Sequence, residues 1–275
     1  MVTTKKDLSE YWRERSDGRA DLSMVGHRSL GAAFNSYIYR RRLDVLNECV
    51  AELGLTPSTL RVLDLGCGNG FYAEFWRALG VTQYVGVDVS QQTIASLEAR
   101  FPEYRFLAAD LGQRDALQQL YGQFDVVTLF DVIYHITDDT QALQALTAAA
   151  HCLGSAGHVI LFDQVARRDS SLTGHVKLRG LATFGRLIEG AGLTVERKKK
   201  LFVLLAPPVF GMAPVDFVIA ALYKLLGFFM KRMDKFGGWA GRKIYELDQR
   251  LIQAGVGIPN HEAYVLVRRA AAKTG

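Results

Sequence analysis

The segment Val62-Leu63-Asp64-Leu65-Gly66-Cys67-Gly68-Asn69-Gly70 carries the strongest chemical signal in the chain. An apolar run leads into three glycines at alternate positions, and 71–79 then reads as a helix. Glycine lets the backbone approach a ligand with no Cβ in the way, and a helix N-terminus offers unpaired N–H groups to an anionic group. A plain tight turn is the alternative for a lone glycine run. Two further apolar runs, however, also end in acids. Val85-Gly86-Val87-Asp88-Val89 delivers a carboxylate that can accept both hydroxyls of a ribose. Capping a helix is its alternative task, one that Ser90 could also perform. Phe106-Leu107-Ala108-Ala109-Asp110-Leu111 ends in a second carboxylate.

A fourth run continues into Phe130-Asp131-Val132-Ile133-Tyr134-His135-Ile136-Thr137-Asp138. His135 is the leading candidate base, because imidazole titrates near neutral pH; the alternative is a histidine that hydrogen-bonds the loop ending at Asp138. Tyr134 falls on the same rim. Asp138 reads as the cap of the following helix. Asp131 and Asp163, with Gln164, raise the question of a divalent cation. Hard cations want several oxygen ligands, nothing else in the sequence supplies them, and no metal is expected. Cys49, Cys67 and Cys152 lie far apart with no CxxC pair, so neither a zinc site nor a disulfide framework is indicated.

These groups need elements to hold them. From residue 60 onward, apolar runs at 60–65, 84–89, 104–108, 124–130 and 158–162 alternate with helix-length polar stretches such as 91–100 and 138–153. That alternation predicts a parallel sheet wrapped by helices. Right-handed crossovers put every strand's C-terminal end on one rim, where ligands bind. Residues 7–53 read as helical until Gly54 and Pro57 interrupt them. Residues 193–205 read as a strand stopped by Pro207-Pro208, residues 209–256 as a largely helical insertion, and 263–267 as the last strand. The expected organisation is a helical cap over 1–54, a core over 55–205, a flap over 206–258, and a final core strand with its tail over 259–275.

Asp64, Gly66, Gly68 and Gly70 together match D-x-G-x-G-x-G, and there the sequence resembles the class I S-adenosylmethionine-dependent methyltransferases of small-molecule type. The resemblance covers about residues 55–165. It implies a doubly wound, Rossmann-like, seven-stranded, mostly parallel sheet, with an N-terminal helical cap and a helical insertion before the last strand. It also implies S-adenosyl-L-methionine as cofactor. The turn, with Cys67 inside it, would cradle the methionine moiety. Asp64 would order the loop and reach the cofactor ammonium. Asp88, with Val89 beside it, would take the ribose, while Asp110 would accept from the adenine amino group and Leu111 would pack on the ring. The backbone at Phe130 would lie near the sulfonium. Dinucleotide enzymes instead want G-x-G-x-x-G, and Phe71 stands where the last glycine would be.

The expected reaction is methyl transfer to an O or N atom of a hydrophobic small molecule, as in secondary metabolism. A lipid-linked or glycosidic acceptor at a membrane surface and a non-catalytic cofactor-binding module are the alternatives. Net charge is +5 and the longest basic run is Arg197-Lys198-Lys199-Lys200, with no stacking platform beside it, so no nucleic-acid partner is expected. The stretch 217–233 is apolar nearly all round yet interrupted by Lys224, too short for a membrane span. Three explanations stay open for it: a lid over the acceptor, a homodimer contact, or a peripheral membrane contact in which Lys231, Arg232 and Lys235 meet anionic lipid. Before the first strand, Tyr11-Trp12-Arg13, His27-Arg28 and Tyr37-Ile38-Tyr39-Arg40-Arg41-Arg42 offer a second candidate base in His27 and an arginine for the cofactor carboxylate. The N-terminus lacks the apolar core of a signal peptide, which predicts a cytoplasmic protein.

Overall fold

The computed structural model describes residues 31–173, 175–206, 213–232, 234–259 and 261–269. Tyr11, Trp12, Arg13, His27, Arg28, Pro207 and Pro208 lie outside the described residues.

Helix α1 (Ala32–Glu52) buries Phe34, Ile38, Arg42, Val45, Leu46 and Cys49, a repeat of three and four residues that turns one stripe inward. The core then runs β1 (Arg61–Leu65), α2 (Phe71–Ala78), β2 (Gln83–Asp88), α3 (Gln91–Arg100), β3 (Arg105–Ala108), β4 (Phe124–Phe130), α4 (Asp139–Cys152) and β5 (Leu153–Asp163). β6 (Val165–Ala166), β7 (Ser170–Thr173), β8 (Val176–Gly180), α5 (Leu181–Gly190), β9 (Leu193–Phe202), α6 (Ala213–Arg232), α7 (Asp234–Gln253) and β10 (His261–Arg268) complete it.

Seven strands form one sheet in the order β3-β2-β1-β4-β5-β10-β9. The strands from β3 to β5 pair in parallel, and β10 is antiparallel to both β5 and β9. Helices cover both faces, so the central strands read as continuous apolar runs. Val62, Leu63, Leu65, Val126, Val127 and Leu129 are all fully buried. One face packs on α1, α2 and α3 through Leu46, Trp76 and Ile94; the other packs on α4 and α5 through Leu146 and Ile188.

Several boundaries differ from the sequence reading. β5 starts at Leu153 because α4 passes into it without a loop, and Leu153 pairs with Phe124 across a register shift. β9 stops at Phe202, since Val203 N and Leu204 N turn to donate to Asp248 Oδ1 of α7. Between β5 and α5 lies a small sheet, β6-β8-β7, with no counterpart in the sequence reading. Its strands are too short and too polar for period-two alternation to register. Asp169 pins it, accepting from Gly180 N and Thr183 Oγ1.

Candidate functional site

The β1–α2 turn is built from backbone. Gly66 N and Cys67 N both donate to Val87 O of β2, at 2.7 and 3.0 Å. Gly66 has φ 78°, and a Cβ there would run into the Val132 side chain. Gly68, at φ 52°, is the opposite case: an added Cβ would meet only Gly66 O, at 3.9 Å, so open space lies over it. Gly70 caps α2 in the left-handed region, and Cys67 is buried beneath the turn.

The three acids stand on adjacent strands. Asp88 Oδ2 accepts from Gly68 N and Oδ1 from Ser90 N, both at 3.0 Å. It therefore ties the turn to β2, while Ser90 caps α3 by accepting from Thr93 N. Burial raises the Asp88 carboxyl, and the backbone donors partly offset that. Val89 beside it is 41% exposed, an uncovered apolar side chain at a strand end. Asp110, after β3, accepts from Gly112 N and Gln113 Nε2 at 2.9 Å each, while Leu111 is buried in the core. Asp64 is buried in β1, where its oxygens accept from Tyr84 OH at 2.8 Å and Thr128 Oγ1 at 2.7 Å. Burial pushes it up to about 6, against the pull of those two donors. Tyr84 and Thr128 were not legible as its partners, because they sit mid-strand in β2 and β4 with nothing local to mark them.

The β4 and β5 ends carry a second polar group. Phe130 is buried between the Tyr72 and Phe162 rings, with centroids 4.3 and 4.4 Å away. Asp131 follows at φ 60°, a left-handed conformation that strains a non-glycine residue. Its Oδ2 meets Arg42 Nη1 at 2.5 Å. Arg42 descends from α1 into the interior, its guanidinium 5.3 Å from the Tyr39 ring and 5.6 Å from the Phe202 ring. Burial works against the guanidinium's charge, but Asp131 holds it firmly protonated. Burial raises Asp131 in turn, with Arg42 and the Tyr134 hydroxyl opposing. Asp163, at the end of β5, accepts from Gln164 N on Oδ1; burial, with Asp131 nearby, pushes it well above the carboxylate range. Among the described residues, Arg42 Nε, Tyr72 OH, Asp131 Oδ1 and Asp163 Oδ2 are all buried with no hydrogen-bond partner. Four such atoms in one place, each costing about 1–3 kcal/mol if left unmet, make this cluster the candidate site for a polar ligand.

Arg42 is one of the arginines considered for the cofactor carboxylate, but its partner here is Asp131. Arg41 is likewise turned inward, donating to Leu201 O and Lys200 O and pairing with Glu48. Asp131 thus answers an arginine within the protein, and among the described residues no cluster of metal-ligating side chains occurs.

Tyr134 and His135 lie on a single 3-10 turn, Ile133–His135, with ring centroids 4.2 Å apart. His135 Nδ1 is 3.1 Å from His175 O, just before β8. A carbonyl oxygen only accepts, so Nδ1 carries the proton and Nε2 is the basic nitrogen. Asp138 caps α4, accepting from Gln141 N. Arg179 of β8 grips this whole turn. It donates to Ile133 O at 2.9 Å, Ile136 O at 2.6 Å and Asp138 O at 3.4 Å, and pairs with Asp139 at 2.8 Å. Sequence reasoning missed Arg179 and Tyr72. No local pattern marks Arg179, whose carbonyl partner Ile133 is 46 residues away.

Residues 63–159 match the family model for a methyltransferase domain. The tRNA U34 carboxymethyltransferase of Pseudomonas aeruginosa is 35% identical over 116 residues, 40% of this chain and 34% of that protein. The ubiquinone biosynthesis O-methyltransferase of Chromobacterium violaceum is 33% identical over 31% of this chain and 37% of its own length. The chain therefore spans about a third of the curated relatives it matches. The crystal structure of the Burkholderia thailandensis 1,6-didemethyltoxoflavin-N1-methyltransferase, solved with S-adenosylhomocysteine, aligns over 96% of this chain and 87% of its own with a TM-score of 0.54. At 14% identity that likeness shows the fold.

Proposed function

We propose that this chain, which carries an S-adenosylmethionine-dependent methyltransferase domain of the class I fold, transfers the methyl group to an O or N atom of a hydrophobic small molecule, as in secondary metabolism. The observation that carries the reading is the pairing of two half-sites on one rim. Open space over Gly68, flanked by Asp88 and exposed Val89, fits a nucleoside held by backbone and carboxylate. Beside it, the unmet polar atoms of Arg42, Tyr72, Asp131 and Asp163 fit the polar group of an acceptor. In this reading Asp110, after β3, takes the adenine end and Phe130, at the end of β4, the methyl end.

When bound, S-adenosylmethionine supplies an electrophilic methyl group. The chain's own residues bind, orient and exclude water. Asp88 holds the turn in shape and has lone pairs left for the sugar. Phe130, packed between Tyr72 and Phe162, makes an apolar wall at the strand end. His135 Nε2 takes the acceptor's proton where the acceptor is an alcohol or phenol, and an amine needs no base. Tyr134, on the same turn as His135, orients the acceptor. Three free cysteines, all buried, fit the reducing cytoplasm.

Calorimetry with S-adenosylhomocysteine tests the first half, and mass spectrometry of phenols and amines incubated with S-adenosylmethionine tests the second. Binding with methylated product supports the whole reading. Binding without product from any acceptor points to a cofactor-binding module. A preference for NAD over S-adenosylhomocysteine sinks it.

A further inference from the structure

Helix α6 turns its apolar side away from the protein. Tyr223, whose hydroxyl donates to Leu204 O at 2.8 Å, and buried Gly227 face the body. Phe217 (74% exposed), Val218, Leu222, Leu225, Leu226, Phe228 (59%) and Phe229 face solvent. At roughly 100° per residue these positions sweep about half the helix circumference. On neighbouring α7, Phe236 and Trp239 stack at 5.9 Å and are also exposed. A contiguous apolar surface of this kind needs an occupant.

We infer that this face docks on an anionic lipid surface. Charge decides among the occupants. Lys224 and Arg232 are exposed on α6, and 217–233 contains no Asp or Glu, the nearest acids in sequence being Asp216 before it and Asp234 after it. A second copy of the chain would press this basic face against itself across a two-fold axis, with no acid there to answer it. A closed lid would point the apolar arc inward, whereas here Tyr223 and Gly227 occupy the inward side. An anionic bilayer answers both features: the acyl boundary takes the phenylalanines and leucines, and the headgroups take the lysine and arginine. An exposed tryptophan beside the helix suits the interfacial layer. No helix among the described residues is long and apolar enough to cross a membrane, so α6 lies flat on the surface.

Vesicle sedimentation of the full chain tests this, with phosphatidylcholine vesicles compared against phosphatidylcholine mixed with phosphatidylglycerol. The chain is expected to pellet with the anionic vesicles and to be released by high salt. Lys224→Gln should weaken partitioning about 5-fold. The double variant Leu225→Ser, Phe228→Ser should weaken it by about 100-fold, while S-adenosylhomocysteine calorimetry, which reads the folded core, stays unchanged. Failure of the wild type to pellet with anionic vesicles, or equal pelleting by the double variant, overturns the inference. So does a concentration-dependent dimer in sedimentation equilibrium that the double variant abolishes, since that assigns the face to a second copy. Vesicle binding without S-adenosylhomocysteine binding would sink the proposed catalysis and leave the docking intact.

Discussion

Replacing Arg179 with methionine tests whether the turn carrying Tyr134 and His135 is held from outside its own segment. The side chain is 2% exposed, and its two short bonds run to Ile133 O, which also accepts from Ile136 N, and to Ile136 O. Hydrogen bonds from a charged donor are worth about 1.5–3 kcal/mol each, so the gross loss is about 3–6 kcal/mol. Methionine fills similar volume and needs no desolvation of a charge, which returns part of that. The contact with Asp139 adds little, because that carboxylate is 43% exposed and keeps Lys177 at 2.8 Å. A net loss of about 3 kcal/mol follows, which for a chain of this size lowers Tm by roughly 6–12 °C. Hydrogen exchange gives a local readout. The amides of His135 and Ile136 close the 3-10 turn on Val132 O and Ile133 O. Their protection should fall by roughly 150-fold. Affinity for S-adenosylhomocysteine should hold within about 3-fold, because Arg179 touches neither the glycine turn nor Asp88. Arg179→Lys keeps the charge without the planar fork and should recover about half the stability. Unchanged exchange at both amides in Arg179→Met would refute the reasoning.

The other predictions concern the rim itself. Asp88→Ala removes the acceptor for Gly68 N and should weaken S-adenosylhomocysteine binding at least about 30-fold by calorimetry, with Tm falling by only a few degrees. Asp64 is raised from 3.8 to about 6 in the fold, so its contribution to stability is full below about pH 4 and is lost as pH rises towards 6. Asp64→Asn should therefore flatten that part of the stability–pH curve in urea titrations. A cofactor ammonium near Asp64 favours its charged form, so binding at pH 6 should release a proton, seen as buffer-dependent binding heat; proton uptake would place the ammonium elsewhere. Gly66→Ala forces a Cβ into Val132 at positive φ and should cost several kcal/mol, of which Val132→Ala restores the steric part but not the backbone part.

What was legible in the sequence is what is local. Residues 62–70, 85–89 and 106–111 each combine an apolar run, which makes a buried parallel strand, with the acid at its end. Right-handed crossovers put the strand ends on one rim, and the order β3-β2-β1 makes Asp64, Asp88 and Asp110 neighbours. The partners each side chain takes are not local. Asp64 finds Tyr84 and Thr128 across two strand interfaces, and Asp131 finds Arg42 from a helix that precedes the sheet altogether. Nor was the outward turn of α6 readable. The pattern of 217–233 is apolar nearly all round, and the bond from Tyr223 to Leu204, with buried Gly227, fixes which side faces the body.

The two halves of the rim differ in how finished they are, and the difference bears on what the relatives can teach. On β1 and β2 the acids have their bonds in place: Asp64 with Tyr84 and Thr128, Asp88 with Gly68 and Ser90. A site already organised before its ligand arrives gives up little entropy on binding, which suits a cofactor common to many acceptors. On β4 and β5 the polar atoms are buried and unmet, a cost that a ligand of matching shape removes and a mismatched one does not. On the proposed function, selectivity would reside on that side. Of the residues that build it, Tyr72, Asp131, Tyr134 and His135 lie inside the matched span of 63–159, while Arg42 from α1, Asp163 from the end of β5 and Arg179 from β8 lie outside it. The matched span carries Asp64, Asp88 and Asp110, whereas the β4–β5 side draws part of its residues from outside that span. Exchanging 63–159 for the corresponding segment of either relative should preserve S-adenosylhomocysteine binding without bringing that relative's acceptor with it; transfer of the acceptor along with the segment would show that selectivity lies inside the matched span after all.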